Sequence, residues 1–133
     1  MHGTRHRGKN MTRIDANVIL RYLLNDHPEH SKKAAELIDR SSVFVAVEVL
    51  CEVVYVLGGV YSVEKKMIAE KLAEFIRLDT VAVDDARVLM VAFDLFAQTK
   101  IDFVDSLLCA YNKVRSDTVV TFDQKLMKLM DVG

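Results

Sequence analysis

The chain has 133 residues, of which 51% are apolar and 28% charged, with one proline and five glycines. This composition excludes a disordered protein, and the length accommodates one domain rather than two. A formal net charge of −1 excludes a uniformly basic surface, so any binding to a polyanion must come from a local arrangement or from bound cations.

The first ten residues, MHGTRHRGKN, are basic and polar and show no periodicity. We interpret them as a disordered leader or extension before a single domain over residues 11–133, with a basic arm for RNA as the alternative. Cys51 and Cys109 lack the spacing of a metal site, which predicts reduced core thiols and a cytoplasmic protein. No apolar run is long enough for a membrane span, and the high apolar share favours an oligomer.

The first half of the chain is predicted to alternate strands with helices. Its elements are a strand ending over Arg13–Asp15, a helix around Val18–Leu23, a helix over Pro28–Arg40, a strand over Val43–Val45 and a helix over Ala46–Leu57. Pro28 suits the first turn of its helix, and Gly58-Gly59 ends the last one.

The second half continues the alternation. Its elements are a helix capped by Ser62, a strand over Thr80–Val83, a helix opened by Asp84 or Asp85, a helix over Phe103–Arg115, a strand over Thr118–Thr121 and a helix over Asp123–Met130. The alternation predicts an α/β fold, a three-layer sandwich whose central parallel sheet of four or five strands is flanked by helices. Such sheets bind ligands beyond the carboxyl ends of their strands.

Acidic residues fall where this edge is predicted. Asp15 ends the first strand and Asp123 follows the fourth, although each alone is equally well read as a helix N-cap. Glu48 and Glu52 are the only charged residues in an apolar stretch and share a helical face, with an ion pair to Arg or Lys as the structural alternative.

Asp102 and Asp105 lie at the start of a predicted helix in KIDFVDSLLCAYNK, where Asp102 is the more plausible cap. A site holding Asp15, Glu52, Asp105 and Asp123 needs cations, because gathered carboxylates repel one another. Oxygen-only ligands suit Mg²⁺ or Mn²⁺ rather than zinc. Such an ion can activate water toward a phosphodiester, which predicts hydrolysis of a nucleic acid backbone.

Four strings carry a resemblance to one family. RIDANVILRYLL, VEVLCEVVYVLGGVY, IDFVDSLLCA and TFD resemble, in order, the acidic motifs of PIN-domain ribonucleases, in particular the VapC-like toxins of type II toxin–antitoxin systems. Asp15, Glu52, Asp105 and Asp123 fill the metal-ligand places, and Asn17, Asp102 and Thr121 fill supporting ones. Ala16 stands where Thr or Ser is common.

The resemblance implies a PIN-like sandwich, Mg²⁺- or Mn²⁺-dependent endoribonuclease activity, a homodimer and inhibition by a cognate antitoxin protein. The sequence ends soon after Asp123, so the last strand of the family is expected to be missing or completed by a partner. Two other readings stay open. One is a degenerate PIN module that acts through protein contacts, and the other is an aspartate-based phosphoryl-transfer protein.

Overall fold

The structure is a computed structural model that describes residues 11–132, with side chains through Met130. Segment 1–10, interpreted as a leader or an arm, lies outside the described residues. The described chain divides into two compact units. The first holds residues 11–53 with Arg77–Asp84, and the second holds Val54–Ile76 with the residues from Asp85 onward.

The described part of the chain forms helices and strands in alternation. In chain order they are β1 (Thr12–Arg13), α1 (Ala16–Leu24), α2 (Pro28–Arg40), β2 (Val43–Phe44), α3 (Val47–Gly59), α4 (Lys65–Ile76), β3 (Val81–Ala82), α5 (Ala86–Gln98), α6 (Phe103–Arg115) and α7 (Gln124–Val132). The predicted α/β fold with a parallel sheet is confirmed. The helices predicted over Pro28–Arg40 and Phe103–Arg115 have those bounds.

The sheet belongs to the first unit. Its strands run parallel in the order β1-β2-β3, and Val43 on the central strand pairs with Thr12 on one side and Val81 on the other. Beyond the ladder, the Val45 N–H donates to the Ala82 carbonyl at 2.9 Å. Because the strands are parallel, the residues that follow β1, β2 and β3 leave from the same edge of the sheet.

The strand predicted over Thr118–Thr121 does not form. Residues 116–123 have no regular secondary structure, and the side chains of Val120 and Phe122 are 82% and 93% exposed. The described residues therefore give a sheet of three strands rather than the four or five predicted. β-Branched residues favour a strand only where they can pack on a pleated surface, which this segment lacks.

The start of α4 also differs from the prediction. Ser62 was predicted to cap this helix, but it has a left-handed backbone with φ 56°, and the helix begins at Lys65. The Val63 N–H instead donates to the Leu57 carbonyl at 2.9 Å, which closes the end of α3. A residue in the left-handed region cannot serve as an N-cap, since that position needs an extended backbone.

Aromatic and apolar packing places α6 within the second unit. The rings of Phe93 and Phe103 stack with centroids 5.4 Å apart, and Phe96 meets Phe103 edge-on at 5.8 Å, which holds α6 against α5. Buried Cys109 packs in a cluster with Ile101 and Leu126, which ties α6 to α7. Cys109 is buried and Cys51 is half-buried, and no disulfide joins them.

Candidate metal centre

Asp15 follows the buried Ile14 directly after β1, so it lies at the carboxyl end of that strand, as predicted. Its Oδ1 accepts a hydrogen bond from the Val18 N–H at 3.1 Å, so Asp15 is the N-cap of α1. Within the described residues this is the one hydrogen bond of its exposed carboxylate. The N-cap reading is therefore confirmed, and the ligand reading stays a prediction, which the second carboxylate oxygen leaves open.

Asn17, predicted to support the site, lies in the first turn of α1 and is exposed. It lines a cavity of about 200 Å³ between α1 and α2, with Val18 and Leu37 among the apolar walls. Arg21 and Lys33 lie on the same cavity, so its border is cationic. Asn17, two residues after Asp15, therefore borders a small pocket with a cationic rim.

Glu48 and Glu52 lie on the same face of α3, as their four-residue spacing predicts. Both are exposed, and neither forms an ion pair with any described residue. The structural alternative, an ion pair to Arg or Lys, is therefore not found among the described residues. Each carboxylate faces solvent, where its charge is tolerated without a partner.

Asp102 is the N-cap of α6 in the second unit. Its Oδ1 accepts a hydrogen bond from the Asp105 N–H at 2.8 Å. Its backbone carbonyl accepts a second one from the Ser106 hydroxyl, also at 2.8 Å. Ser106 is fully buried, so this bond satisfies its hydroxyl and fixes the first turn of the helix. The assignment of Asp102 as the cap is confirmed.

Asp123 caps α7 in the same way. Its Oδ1 accepts from the Leu126 N–H at 3.0 Å, while its own N–H donates to the Thr121 hydroxyl at 3.1 Å. Thr121, predicted as a supporting residue, therefore holds the backbone of Asp123 rather than its carboxylate. Asp105 differs from these caps because its carboxylate makes no hydrogen bond within the described residues.

Electrostatics link the three acids of the second unit. Burial raises the pKa of the Asp105 carboxyl above its ordinary value, and the negative charges of Asp102 and Asp123 raise this pKa further. Because Asp105 is affected by the charges of the other two, we name Asp102, Asp105 and Asp123 together the acidic cluster. A cation bound near Asp105 would relieve this repulsion.

The donor set of the acidic cluster fits a hard divalent cation, because it consists of carboxylate oxygens without a histidine or thiolate partner. Among the residues that the structure describes, no three or more His, Cys, Asp or Glu side chains are grouped so that they could hold a metal ion. Mg²⁺ does not require such a group, since it commonly binds through one or two carboxylates and keeps several waters. Asp15 and Glu52 belong to the first unit, so the meeting of all four predicted ligands stays a prediction.

Comparison with protein families gives one decisive match. The model of the PIN domain family matches residues 13–131, which is nearly the whole chain. The chain belongs to the PIN domain family. PIN domains are typically nucleases and generally bind divalent metal ions, which agrees with the oxygen-only acidic cluster of this PIN domain.

Comparison with curated proteins and with solved structures gave no match. In the part of this PIN domain that the structure describes, no helix has both the length and the apolar character that crossing a bilayer requires.

One contact next to the start of α6 has no signal in the sequence. The Lys65 ammonium contacts the connection that leads into α6, and burial lowers its pKa while the charge of Asp102 raises it. Its partners are backbone carbonyls 34 and 36 residues away, so no local motif signals the contact.

Proposed function

We propose that this PIN domain is a divalent-cation-dependent endoribonuclease, with Mg²⁺ or Mn²⁺ as its ion. The observation that carries the proposal is the acidic cluster, in which Asp102 and Asp123 raise the pKa of the Asp105 carboxyl. A cluster of like charges lowers stability unless something positive occupies it. Such residues occur preferentially where a protein binds or transforms a ligand.

Three chain residues would hold the cation from the second unit. Asp105 offers a carboxylate without a competing hydrogen bond, and Asp102 and Asp123 each offer the oxygen that does not cap a helix. Asp15 and Glu52 complete the proposed ligand set from the first unit, with Asn17 as a supporting residue. When bound, a divalent ion supplies Lewis acidity that polarises the phosphodiester and offsets its negative charge.

The chain's own acids also suit proton transfer. A carboxyl with a raised pKa accepts a proton more readily at neutral pH than an ordinary aspartate does. Asp105 has this property and lies half-exposed at the start of α6, where an attacking water can reach it. We assign Asp105 as a cation ligand whose backbone Asp102 fixes, and either Asp105 or Glu52 as the proton acceptor.

The toxin role and its partners are part of the same proposal. Large apolar side chains are exposed in the second unit, among them Tyr55 at 77%, Val60 at 68% and Met67 at 45%. Exposed apolar surface of this kind favours protein contacts, which supports a homodimer and binding of an antitoxin protein. A cytoplasmic location is proposed with them, on the basis of the reduced cysteines.

One rival reading loses support from the position of Asp105. An aspartate-based phosphoryl-transfer protein places its reactive Asp directly after a parallel strand. Asp105 instead lies inside α6, in its first turn. The other rival, a degenerate PIN module that acts through protein contacts, makes a different prediction and is separated by experiment.

The test incubates purified protein with total RNA and with single-stranded DNA, in Mg²⁺, in Mn²⁺ and in a chelator. We expect cleavage of RNA with either cation and none with chelator. Asp105→Asn should lower the rate at least about a hundredfold, in the range by which positioned acid–base groups act. Asp94→Asn is the matched control, because Asp94 is exposed on α5 and its carboxylate, among the described residues, accepts a side-chain hydrogen bond from Gln98 alone.

Two results would contradict the proposal. Cleavage that persists in chelator excludes the dependence on a cation. No cleavage of any RNA by a folded wild-type protein favours the protein-contact module instead.

A further inference from the structure

Lys65, the first residue of α4, holds an unusually well-defined position for a lysine. Its Nζ donates hydrogen bonds to the carbonyl oxygens of Thr99 at 2.9 Å and Ile101 at 2.8 Å. The same ammonium lies 4.5 Å from the ring centroid of Phe96. Fixing a long, flexible side chain costs rotamer entropy, so three simultaneous contacts indicate a defined structural task.

The two carbonyls belong to the connection between α5 and α6. Thr99 is the C-cap of α5, and its hydroxyl donates to the Leu95 carbonyl at 2.8 Å. Ile101 is buried and directly precedes Asp102. The ammonium therefore fixes the backbone at the residue before the N-cap of α6.

A continuous set of contacts leads from Lys65 to the acidic cluster. Lys65 binds the Ile101 carbonyl, the next residue is Asp102, and Asp102 accepts from the N–H of Asp105. Burial of the Ser106 hydroxyl against the Asp102 carbonyl prevents the turn from shifting independently. A displacement of the connection would therefore move both acids of α6.

The charge of Lys65 and its position have opposite effects on a cation at the cluster. A positive charge near Asp102 repels a second cation, so its removal by itself would strengthen cation binding. Loss of the two carbonyl contacts instead releases the connection that presents Asp102 and Asp105. The sign of the change in affinity therefore shows which effect dominates.

We propose that Lys65 is a positioning residue for the acidic cluster, which acts by clamping the Thr99 and Ile101 carbonyls so that Asp102 and Asp105 face a cation together. This inference rests on the proposed function, because it assumes that the cluster binds a divalent ion. Residues that orient metal ligands from outside the ligand set commonly change metal affinity 10- to 100-fold when they are altered.

The experiment compares three variants with the wild-type chain. Lys65→Met keeps an apolar stem without an ammonium, and Lys65→Arg keeps the charge and the donors. Lys66→Met is the matched control, since Lys66 is the next residue of α4, is exposed, and makes no hydrogen bond or ion pair with any described residue. Two quantities are measured: the affinity for Mn²⁺ by calorimetry, and backbone amide hydrogen exchange without metal.

We expect Lys65→Met to weaken Mn²⁺ binding by about tenfold or more, Lys65→Arg to lose less, and Lys66→Met to match the wild type. Exchange should speed up at the Asp105 and Ser106 amides in Lys65→Met while the amides inside α5 keep wild-type rates. A general loss of stability would instead speed exchange throughout the unit.

Tighter or unchanged Mn²⁺ binding by folded Lys65→Met overturns the inference. If Lys65→Met does not fold, Lys65→Gln replaces it. A folded Lys65→Gln variant with wild-type exchange rates and wild-type Mn²⁺ affinity overturns the inference in the same way. Failure of the proposed function looks different, because the wild-type chain itself then neither binds Mn²⁺ nor cleaves RNA. The exchange measurement needs no metal and still tests the clamp.

Discussion

The carboxylate of Asp102 accepts a hydrogen bond from the backbone N–H of Asp105 at 2.8 Å. This contact gives two neighbouring acids different tasks. Asp102 caps α6. Asp105 lies in the first turn of α6, and its carboxylate forms no hydrogen bond with any described residue. The same contact keeps their charges close, which is one reason why the pKa of Asp105 is raised.

The cap and the charge of Asp102 can be separated by substitution. Asp102→Ala should lower the free energy of unfolding by about 1 kcal/mol, since it removes the N-cap of α6. Asp102→Asn should change it by only a few tenths, because an amide oxygen caps a helix nearly as well. Denaturant unfolding measures both, and equal losses in the two variants would mean that charge rather than capping matters.

Asp105 should make the metal-free protein less stable at neutral pH than an uncharged residue would. Its pKa is raised in the fold, so the folded state binds the proton more tightly and its contribution to stability falls as pH rises from the ordinary value of 3.8 through the raised pKa. Asp105→Asn should therefore raise the thermal midpoint at pH 7 and leave it unchanged near pH 3.

The control for this pH series is Asp94→Asn, which removes an exposed carboxylate of α5 outside the acidic cluster. A gain from Asp105→Asn that is equally large at pH 3 would point to packing instead of charge.

Divalent cations should stabilise the wild-type chain. A ligand that binds only the folded state adds about 2.7 kcal/mol when present at a hundred times its dissociation constant. We expect Mn²⁺ to raise the thermal midpoint of the wild type and to have a smaller effect on Asp105→Asn. Na⁺ at equal ionic strength controls for screening. An equal rise in both proteins would place the cation elsewhere.

The aromatic contacts that hold α6 should dominate the stability of the second unit. Phe93→Ala is expected to cost about 3–5 kcal/mol, because it leaves a cavity and removes the stacked partner of Phe103. Phe122→Ser should change stability by less than about 0.5 kcal/mol, since Phe122 is almost fully exposed. Chemical denaturation of the two variants checks the contrast.

Local sequence patterns predicted the helices well. The bounds of α2 and α6 follow from local signals at the helix starts, namely Pro28 in the first turn of α2 and the capping Asp102 directly before α6. The role of Asp15 and Asp123 as caps was equally readable, because an Asp at a helix start serves its own backbone. Both predictions depend on contacts within four residues.

Features that depend on contacts between distant residues could not be predicted from the sequence. Thr118–Thr121 has the composition of a strand, but whether it pairs depends on a neighbour that the segment itself does not specify. The exposure of Glu52 depends on which face of α3 is covered, and α3 is apolar on most faces. Lys65 could not be recognised, since its two acceptors are carbonyls whose position only the folded backbone reveals.

Three aspartates cap helices with one carboxylate oxygen, which accepts a hydrogen bond from a backbone N–H in the first turn. They are Asp15, Asp102 and Asp123. Replacing the acid by its amide keeps that oxygen and takes away the negative charge. Under the proposed function, one Asp-to-Asn exchange at any of these positions would give a folded protein with a weakened cation site. Function and fold would then be separable by the exchange of a single atom group.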